Sequence, residues 1–476
     1  MITINIFISS MGNVEFGIPV LLKRLTEEFS NRQCQCFYFS IPNGKGIDGS
    51  KELFEALNIQ AQRIDITNSN EHELVEHLNY SQDELEDMLR LIPIDKREAT
   101  IKQVKDYLES IRRSDQEIGI DMLIVWGNRT RERTIYHYAK KHNIPIYIFE
   151  HGYFRPFTLT VDSVGINFEN SVPRTREFYS NVKFDRQRFD RFLTCPEYAV
   201  KDEQVTKEFR MISEKYSNSK SETSERLHKQ IKKVFREGKI RQAIRRQLSK
   251  LVNHIISFRY KQQLNALNTK TRHFLESGDR FLFVPFQLET DTQTVLFSPY
   301  IKTMEELVLL FSDAIDRYNR DYNDNLKVVF KTHPMYTIKE PAMELSRIIA
   351  TCHANQNIFI TNSVGTDDLI TKSECVITIN STVGIEALVM NKKVVTLGNA
   401  FYNIEGIVNH VKQPSELNDV LYKTLTSEPD WNLVERFLYY IRFHYFSEIF
   451  YLNPDKASVK RLVDRILQMR EGGRES

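Results

Sequence analysis

The 476-residue chain has five cysteines and two tryptophans, and no apolar run in it approaches the ~18 residues that a membrane-spanning helix requires. Its cysteines, Cys34, Cys36, Cys195, Cys352 and Cys375, are odd in number and lack zinc-type spacing. That argues against a disulfide framework or a zinc ribbon and predicts reduced, structural thiols. An excess of one charge is missing too: 65 Lys and Arg stand against 63 Asp and Glu, and the net charge of +2 says nothing about partners. The opening stretch, MITINIFISSMGNVEFGIPVLLKRL, lacks the basic start, long apolar segment and small-residue cleavage site of a secretory signal, and reads as a strand leading into a helix. The expected location is therefore cytoplasmic, free or on a membrane surface. Apolar residues at 41% and charged residues at 27% set disordered and fibrous classes aside. The length suits two α/β domains and an accessory element, at roughly 150 residues per domain.

The most informative stretch present is Cys375 to Tyr402. Cys375-Val376-Ile377-Thr378-Ile379 has the β-branched, apolar character of a parallel strand covered on both faces. Asn380-Ser381-Thr382-Val383-Gly384 then offers capping side chains and a residue without Cβ before a helix, and a second strand follows. Free N–H groups at that helix start would favour a phosphate, with the Ser381 and Thr382 hydroxyls as further donors. Glu386, one turn in, is placed to accept hydrogen bonds from a sugar. An ordinary capped helix in an α/β core reads the same way, so this motif alone decides nothing.

The rest of the chain extends the pattern. Strands are expected at 2–9, 34–40, 122–127 and 144–149, with helices at 18–29, across 70–118 and at 130–142, and a glycine-containing turn at 12–17. From Phe281 the alternation resumes with strands at 281–286, 326–330 and 357–361, and helices at 303–318 and 341–352. Between these blocks, 201–275 contains no convincing strand. Arg226 to Lys250 is crowded with basic residues against a single acid, Glu237, while Leu227, Ile231, Val234, Ile244, Leu248 and Leu251 recur at helical spacing. That predicts a basic amphipathic helical insertion suited to anionic lipid, or packed on its own domain. No aromatic residues interleave with the charges, so nucleic acid is not an expected partner. After 427 the chain turns helical and aromatic, as a core-forming C-terminal segment would. The expected domains are 1–200, the insertion 201–275, 276–425, and C-terminal helices at 426–476 crossing back to the first domain.

Three further clusters fall at predicted strand ends, where open α/β sheets place their sites. Glu150-His151-Gly152-Tyr153-Phe154-Arg155-Pro156 combines a carboxylate, an imidazole and a guanidinium. Gln287-Leu288-Glu289-Thr290-Asp291 sets two carboxylates behind the 281–286 strand, either of which could act as a nucleophile. Lys331-Thr332-His333-Pro334 closes a strand with two groups able to meet a phosphate. No P-loop, zinc signature or Asp-x-Asp metal motif occurs, so neither a metal nor another cofactor is expected.

In this order, the Glu150 to Pro156 motif, Gly165-Ile166-Asn167, Val172-Pro173-Arg174, the Gln287 to Gln293 segment, Lys331 to Pro334, and Asn380 to Leu388 ending in Gly398 and Phe401-Tyr402 resemble the bacterial capsule polysaccharide synthesis proteins. Those are retaining β-Kdo transferases that use CMP-Kdo to build an oligo-Kdo linker on a lyso-phosphatidylglycerol anchor. The resemblance implies a GT-B-like fold, two Rossmann-like domains facing a cleft. It implies that His333, Ser381 and Thr382 bind the CMP phosphate, with Lys331 and Gln287 also at the donor, and that Glu386 holds the ribose. Asp291 matches the family carboxylate proposed as nucleophile, and Glu150 the acid/base, which implies double displacement through an aspartyl intermediate. Arg155 is our candidate for the Kdo carboxylate, with His151 and Glu289 on the substrate and acceptor side.

His151 stands where an acid is common in part of the family, and Thr290 where one is frequent, so the nucleophile is Asp291 or Glu289. The implied partners are a CMP-sugar donor, a phospholipid or glycolipid acceptor, an anionic membrane and other capsule enzymes. The implied location is the inner face of the cytoplasmic membrane. Two alternatives remain at this point: a CDP-glycerol-type glycerophosphotransferase, and a capsule assembly or export adaptor without turnover.

Overall fold

The computed structural model describes residues 3–9, 18–40, 62–65, 80–194, 263–333 and 342–472. The expected turn at 12–17, the basic segment 226–250, Cys195 and Pro334 lie outside the described residues. The chain divides into two compact units, Met1–Val172 with Phe184–Asn218 and Tyr439–Ser476, and Pro173–Lys183 with Ser219–Leu438. The segment around 173–183 thus groups with the second unit, and the residues from Tyr439 onward with the first.

In the first unit the strands are β1 (Ile4–Ser9), β2 (Cys34–Ser40), β3 (Gln62–Asp65), β4 (Met122–Trp126), β5 (Ile146–His151), β6 (Thr158–Asp162) and β13 (Ser447–Glu448). Their order is β13-β6-β5-β4-β1-β2-β3. The five from β3 to β5 run parallel, and β6 and β13 close that edge antiparallel. Strand residues alternate between two buried faces. Ile6, Ile8, Met122 and Ile124 pack with the helix Ile18–Asn31 and with Val459, Leu462, Val463 and Ile466 of the helix Lys456–Gly472. Phe7, Leu123, Val125 and Ile148 face the helices Ile94–Ile118 and Thr130–Lys141. Cover on both faces is what lets these strands be apolar throughout.

In the second unit, β7 (Phe281–Pro285), β8 (Lys327–Lys331), β9 (Ile358–Thr361), β10 (Cys375–Thr378), β11 (Lys393–Thr396) and β12 (Asn409–His410) lie in the order β12-β11-β10-β7-β8-β9. All pairs are parallel. Counted within the unit this is 6-5-4-1-2-3, the doubly wound Rossmann order, and its direction reverses between β7 and β10. The two Rossmann-like α/β units expected are both present, and the main strands match their predicted spans to within a residue or two. Strands β3, β6, β12 and β13 were not anticipated; three of the four hold sheet edges, and none carries a long apolar run. The helix at 263–277 covers the end of the expected insertion. Cys34, Cys36, Cys352 and Cys375 are buried and free, and burial pushes the Cys36 thiol up to about 12. No described helix is long and apolar enough to cross a membrane.

Candidate active site

Ligands of doubly wound sheets sit beyond the carboxyl ends of the strands at the reversal point. In the second unit the loops leaving β7, β8 and β10, three neighbouring strands, are the ones that carry Gln287 to Asp291, Lys331 to His333, and Asn380 to Glu386.

A buried amide network stitches two of these loops together. Gln287, 8% exposed, donates from Nε2 to Asn380 Oδ1 at 2.9 Å, and its Oε1 accepts from the Asn380 N–H at 3.1 Å and from Thr378 Oγ1 at 3.3 Å. The Thr378 hydroxyl in turn accepts the Ser381 N–H at 3.1 Å. Asn380 Nδ2 donates to the Gln293 carbonyl at 3.0 Å, and the Asn399 N–H reaches the Phe297 carbonyl at 2.8 Å. Gln287, expected at the donor, therefore has both ends of its amide committed within the fold. Through it the loops after β7 and β10 are held together.

Asp291 is exposed and caps the helix Thr292–Phe297, its Oδ1 accepting the Gln293 N–H at 2.9 Å; Oδ2 has no partner among the described residues. Glu289 is half-buried and its Oε1 accepts the Met304 N–H at 2.6 Å, at the start of the helix Met304–Asp321. The two carboxylates that the sequence left equivalent thus differ, one presented to solvent and one engaged as a helix-start acceptor. Lys331, at the end of β8, donates from Nζ to the Val364 carbonyl, and His333 is half-buried two residues on.

Capping in the Ser381 turn differs from expectation. Thr382 has helical backbone angles and makes no side-chain cap; Ser381 Oγ accepts the Val383 N–H at 3.3 Å, and Asn380 turns inward. Tyr402, fully buried, donates to the Ser381 carbonyl at 2.6 Å. A Cβ on Gly384 would lie 2.5 Å from that hydroxyl, so the glycine is what allows the tyrosine to brace the turn. Glu386 is half-buried on the helix Val383–Val389. Tyr402 was visible only as part of the motif, without a role.

In the first unit, Glu150 and His151 end β5, opposite Thr160 and Leu159 of β6, and Glu150 Oε1 accepts the His151 N–H at 2.9 Å. The His151 ring lies 5.0 Å from Trp126, edge-on, and 4.8 Å from Tyr451. Burial, with the charge of nearby Arg155, pushes its pKa down to about 3. That favours the neutral imidazole, and Arg155, exposed on the same turn, carries positive charge beside it. Tyr451 is a missed member of this group, its phenol pushed up to about 12 by burial. Asp162, 1% exposed, explains the Gly165 to Val172 motif. It accepts the Val164 N–H at 2.7 Å, the Gly165 N–H at 3.2 Å, the Ser171 N–H at 2.8 Å and the Tyr445 hydroxyl at 2.8 Å. Both residues depend on the C-terminal segment, far away in sequence. Among the described residues no group of three or more His, Cys, Asp or Glu side chains is placed to hold a metal ion.

The family profile for capsule polysaccharide biosynthesis protein matches residues 121–441, well over half of the chain. The chain belongs to that family. The matched region contains every candidate residue named above except Tyr445 and Tyr451. Among curated relatives, this family member is 26% identical over 317 residues to Protein FixF of Sinorhizobium fredii, across 66% of this chain and 58% of that one. It therefore spans less than two thirds of FixF. It is 23% identical over 359 residues to the capsule polysaccharide export protein KpsS of Escherichia coli, across 72% of this chain and 81% of that one. Among solved structures it is similar to Thermosulfurimonas dismutans KpsC, beta Kdo 2,7 transferase, at 14% identity and a TM-score of 0.35, covering 92% of this chain and 100% of that one.

Proposed function

We propose that this family member is a glycosyltransferase that moves Kdo with retention from CMP-β-Kdo to a (lyso)phosphatidylglycerol or Kdo-lipid acceptor. The observation that carries the reading is the sheet order β10-β7-β8, which gathers the Asn380–Glu386, Gln287–Asp291 and Lys331–His333 loops at one reversal point in a member of a capsule biosynthesis family. In this reading the second unit takes the CMP moiety, with Lys331, His333, Ser381 and Thr382 toward the phosphate and Glu386 toward the ribose. Asp291 attacks the anomeric carbon and releases CMP; Glu150 then takes the proton of the acceptor hydroxyl as it displaces the aspartyl ester. Arg155 pairs with the Kdo carboxylate. No metal is assigned a role. The protein would work on the inner face of the cytoplasmic membrane, with the 226–250 segment on anionic lipid and other capsule enzymes nearby.

The test is incubation of the purified protein with CMP-Kdo, generated in situ, and a fluorescent lyso-phosphatidylglycerol, with product mass and anomeric configuration as readouts. A gain of one or more Kdo units in the β configuration supports the reading. No gain from folded protein overturns it, and turnover of CDP-glycerol in the same assay would identify a glycerophosphotransferase. Inertness toward all CMP- and CDP-linked donors would point to an assembly or export adaptor.

A further inference from the structure

Two motif residues in the loop after β11, Phe401 and Tyr402, have no part in the donor binding proposed above. That loop is tied to the end of β10: the Gly398 N–H donates to the Ile379 carbonyl at 2.9 Å, and Asn403 Nδ2 donates to the Gly398 carbonyl at 2.9 Å. Phe401, 1% exposed, lies under the Arg174 guanidinium and meets the Tyr402 ring edge-on at 5.4 Å. Tyr402 is itself closed to solvent, and its hydroxyl donates to the Ser381 carbonyl at 2.6 Å.

The Ser381 carbonyl also accepts the Gly384 N–H at 3.1 Å, so both of its lone pairs are used and the turn at 381–384 is closed from two sides. This sets where the two half-buried hydroxyl residues of the turn stand. Ser381 Oγ accepts the Val383 N–H at 3.3 Å and keeps its own hydrogen to donate, and Thr382 spends no side-chain bond on capping the helix. Gly384 completes the arrangement. A Cβ there would lie 2.5 Å from the tyrosine hydroxyl and 2.9 Å from its Cζ, so ring and turn fit together only with glycine.

We propose that Tyr402 is a positioning residue for the donor phosphate, which rests on the donor site proposed above. Through its bond to the Ser381 carbonyl it holds the Ser381 and Thr382 hydroxyls where the phosphate meets them. A ring with no exposed surface does not touch the donor itself, so the effect is carried wholly by the turn.

The experiment compares CMP with cytidine as ligands of the full-length protein by titration calorimetry, in the wild type and in Tyr402→Phe, which keeps the buried ring and removes only the hydroxyl. The ratio of the two dissociation constants isolates what the phosphate adds to binding. Tyr402→Phe should lower that ratio roughly five- to tenfold, as fits the loss of one buried hydrogen bond, while cytidine affinity stays within about twofold. A residue that only stabilised the fold would lower the unfolding midpoint and leave the ratio unchanged. Gly384→Ala should lower the ratio as well, and adding Tyr402→Phe to it should restore part of the loss, because the hydroxyl is the atom nearest the new methyl. Tyr422→Phe, on an exposed ring of the same unit, should leave the ratio as it is. A wild-type ratio that Tyr402→Phe leaves intact overturns the positioning role and leaves the donor site standing. A wild type that binds CMP no better than cytidine overturns both together. Tyr402→Phe carries the test alone if Gly384→Ala does not fold.

Discussion

Gln287 and Asn380 exchange two hydrogen bonds across the ends of β7 and β10, at 2.9 and 3.1 Å, and so tie together the two loops that flank the reversal point of the second sheet. Asn380 then reaches the Gln293 carbonyl in the helix that Asp291 caps. The position of the Asp291 carboxylate relative to the Ser381 turn is therefore set by an amide pair that need touch no substrate.

Replacing Gln287 with Ala should leave the Asn380 N–H and the Thr378 hydroxyl without their acceptor in a buried site. Each unsatisfied group costs about 1–3 kcal/mol. Chemical denaturation should show a loss of that order in the transition reporting the second unit. Gln287→Glu keeps the acceptor but sets a carboxylate against Asn380 Oδ1, and should destabilise as well. Full stability in Gln287→Ala would mean that the network does not hold the loops.

Asp291 is both a helix cap and the proposed nucleophile, and the two roles can be separated. Asn caps as well as Asp, so Asp291→Asn should keep the fold and lose at least 100-fold in turnover, on the order of 3 kcal/mol in the barrier. Glu289→Gln retains an oxygen for the Met304 N–H and should keep most activity. The opposite ranking, with Glu289→Gln inactive and Asp291→Asn active, would transfer the nucleophile to Glu289.

The His151 imidazole, with a pKa of about 3 against an ordinary value of 6.5, binds its proton less readily folded than unfolded. Its contribution to stability is complete above pH 6.5 and is lost as the pH falls from 6.5 toward 3, and is of the order of a few kcal/mol. Stability of the first unit measured across that range should fall less steeply in His151→Gln than in the wild type. Parallel curves would show that the ring does not remain neutral in the folded protein.

Much of the second unit was legible in the sequence because its strands are short apolar runs, each closed by polar residues that cannot continue a buried strand. Phe281 to Pro285 and Cys375 to Thr378 are examples, and the clusters at their ends followed directly. Strands β6 and β13 were not legible: they pair antiparallel with each other beside β5, and β13, at the edge, is two residues long. The pairing of Gln287 with Asn380 was not legible either, since an amide after a strand reads the same whether it faces a ligand or an asparagine 93 positions on.

The sequence by itself determined the α/β class, the two Rossmann-like halves and the motif loops, because apolar periodicity and turn chemistry are local properties of the chain. Only the tertiary structure decided that β7, β8 and β10 are neighbours, that Asp291 is presented while Glu289 is engaged, and that Tyr445 and Tyr451 belong with Asp162 and His151. Those are choices of partner between residues far apart in the chain. They are settled by which buried polar groups can satisfy one another once the sheets have formed.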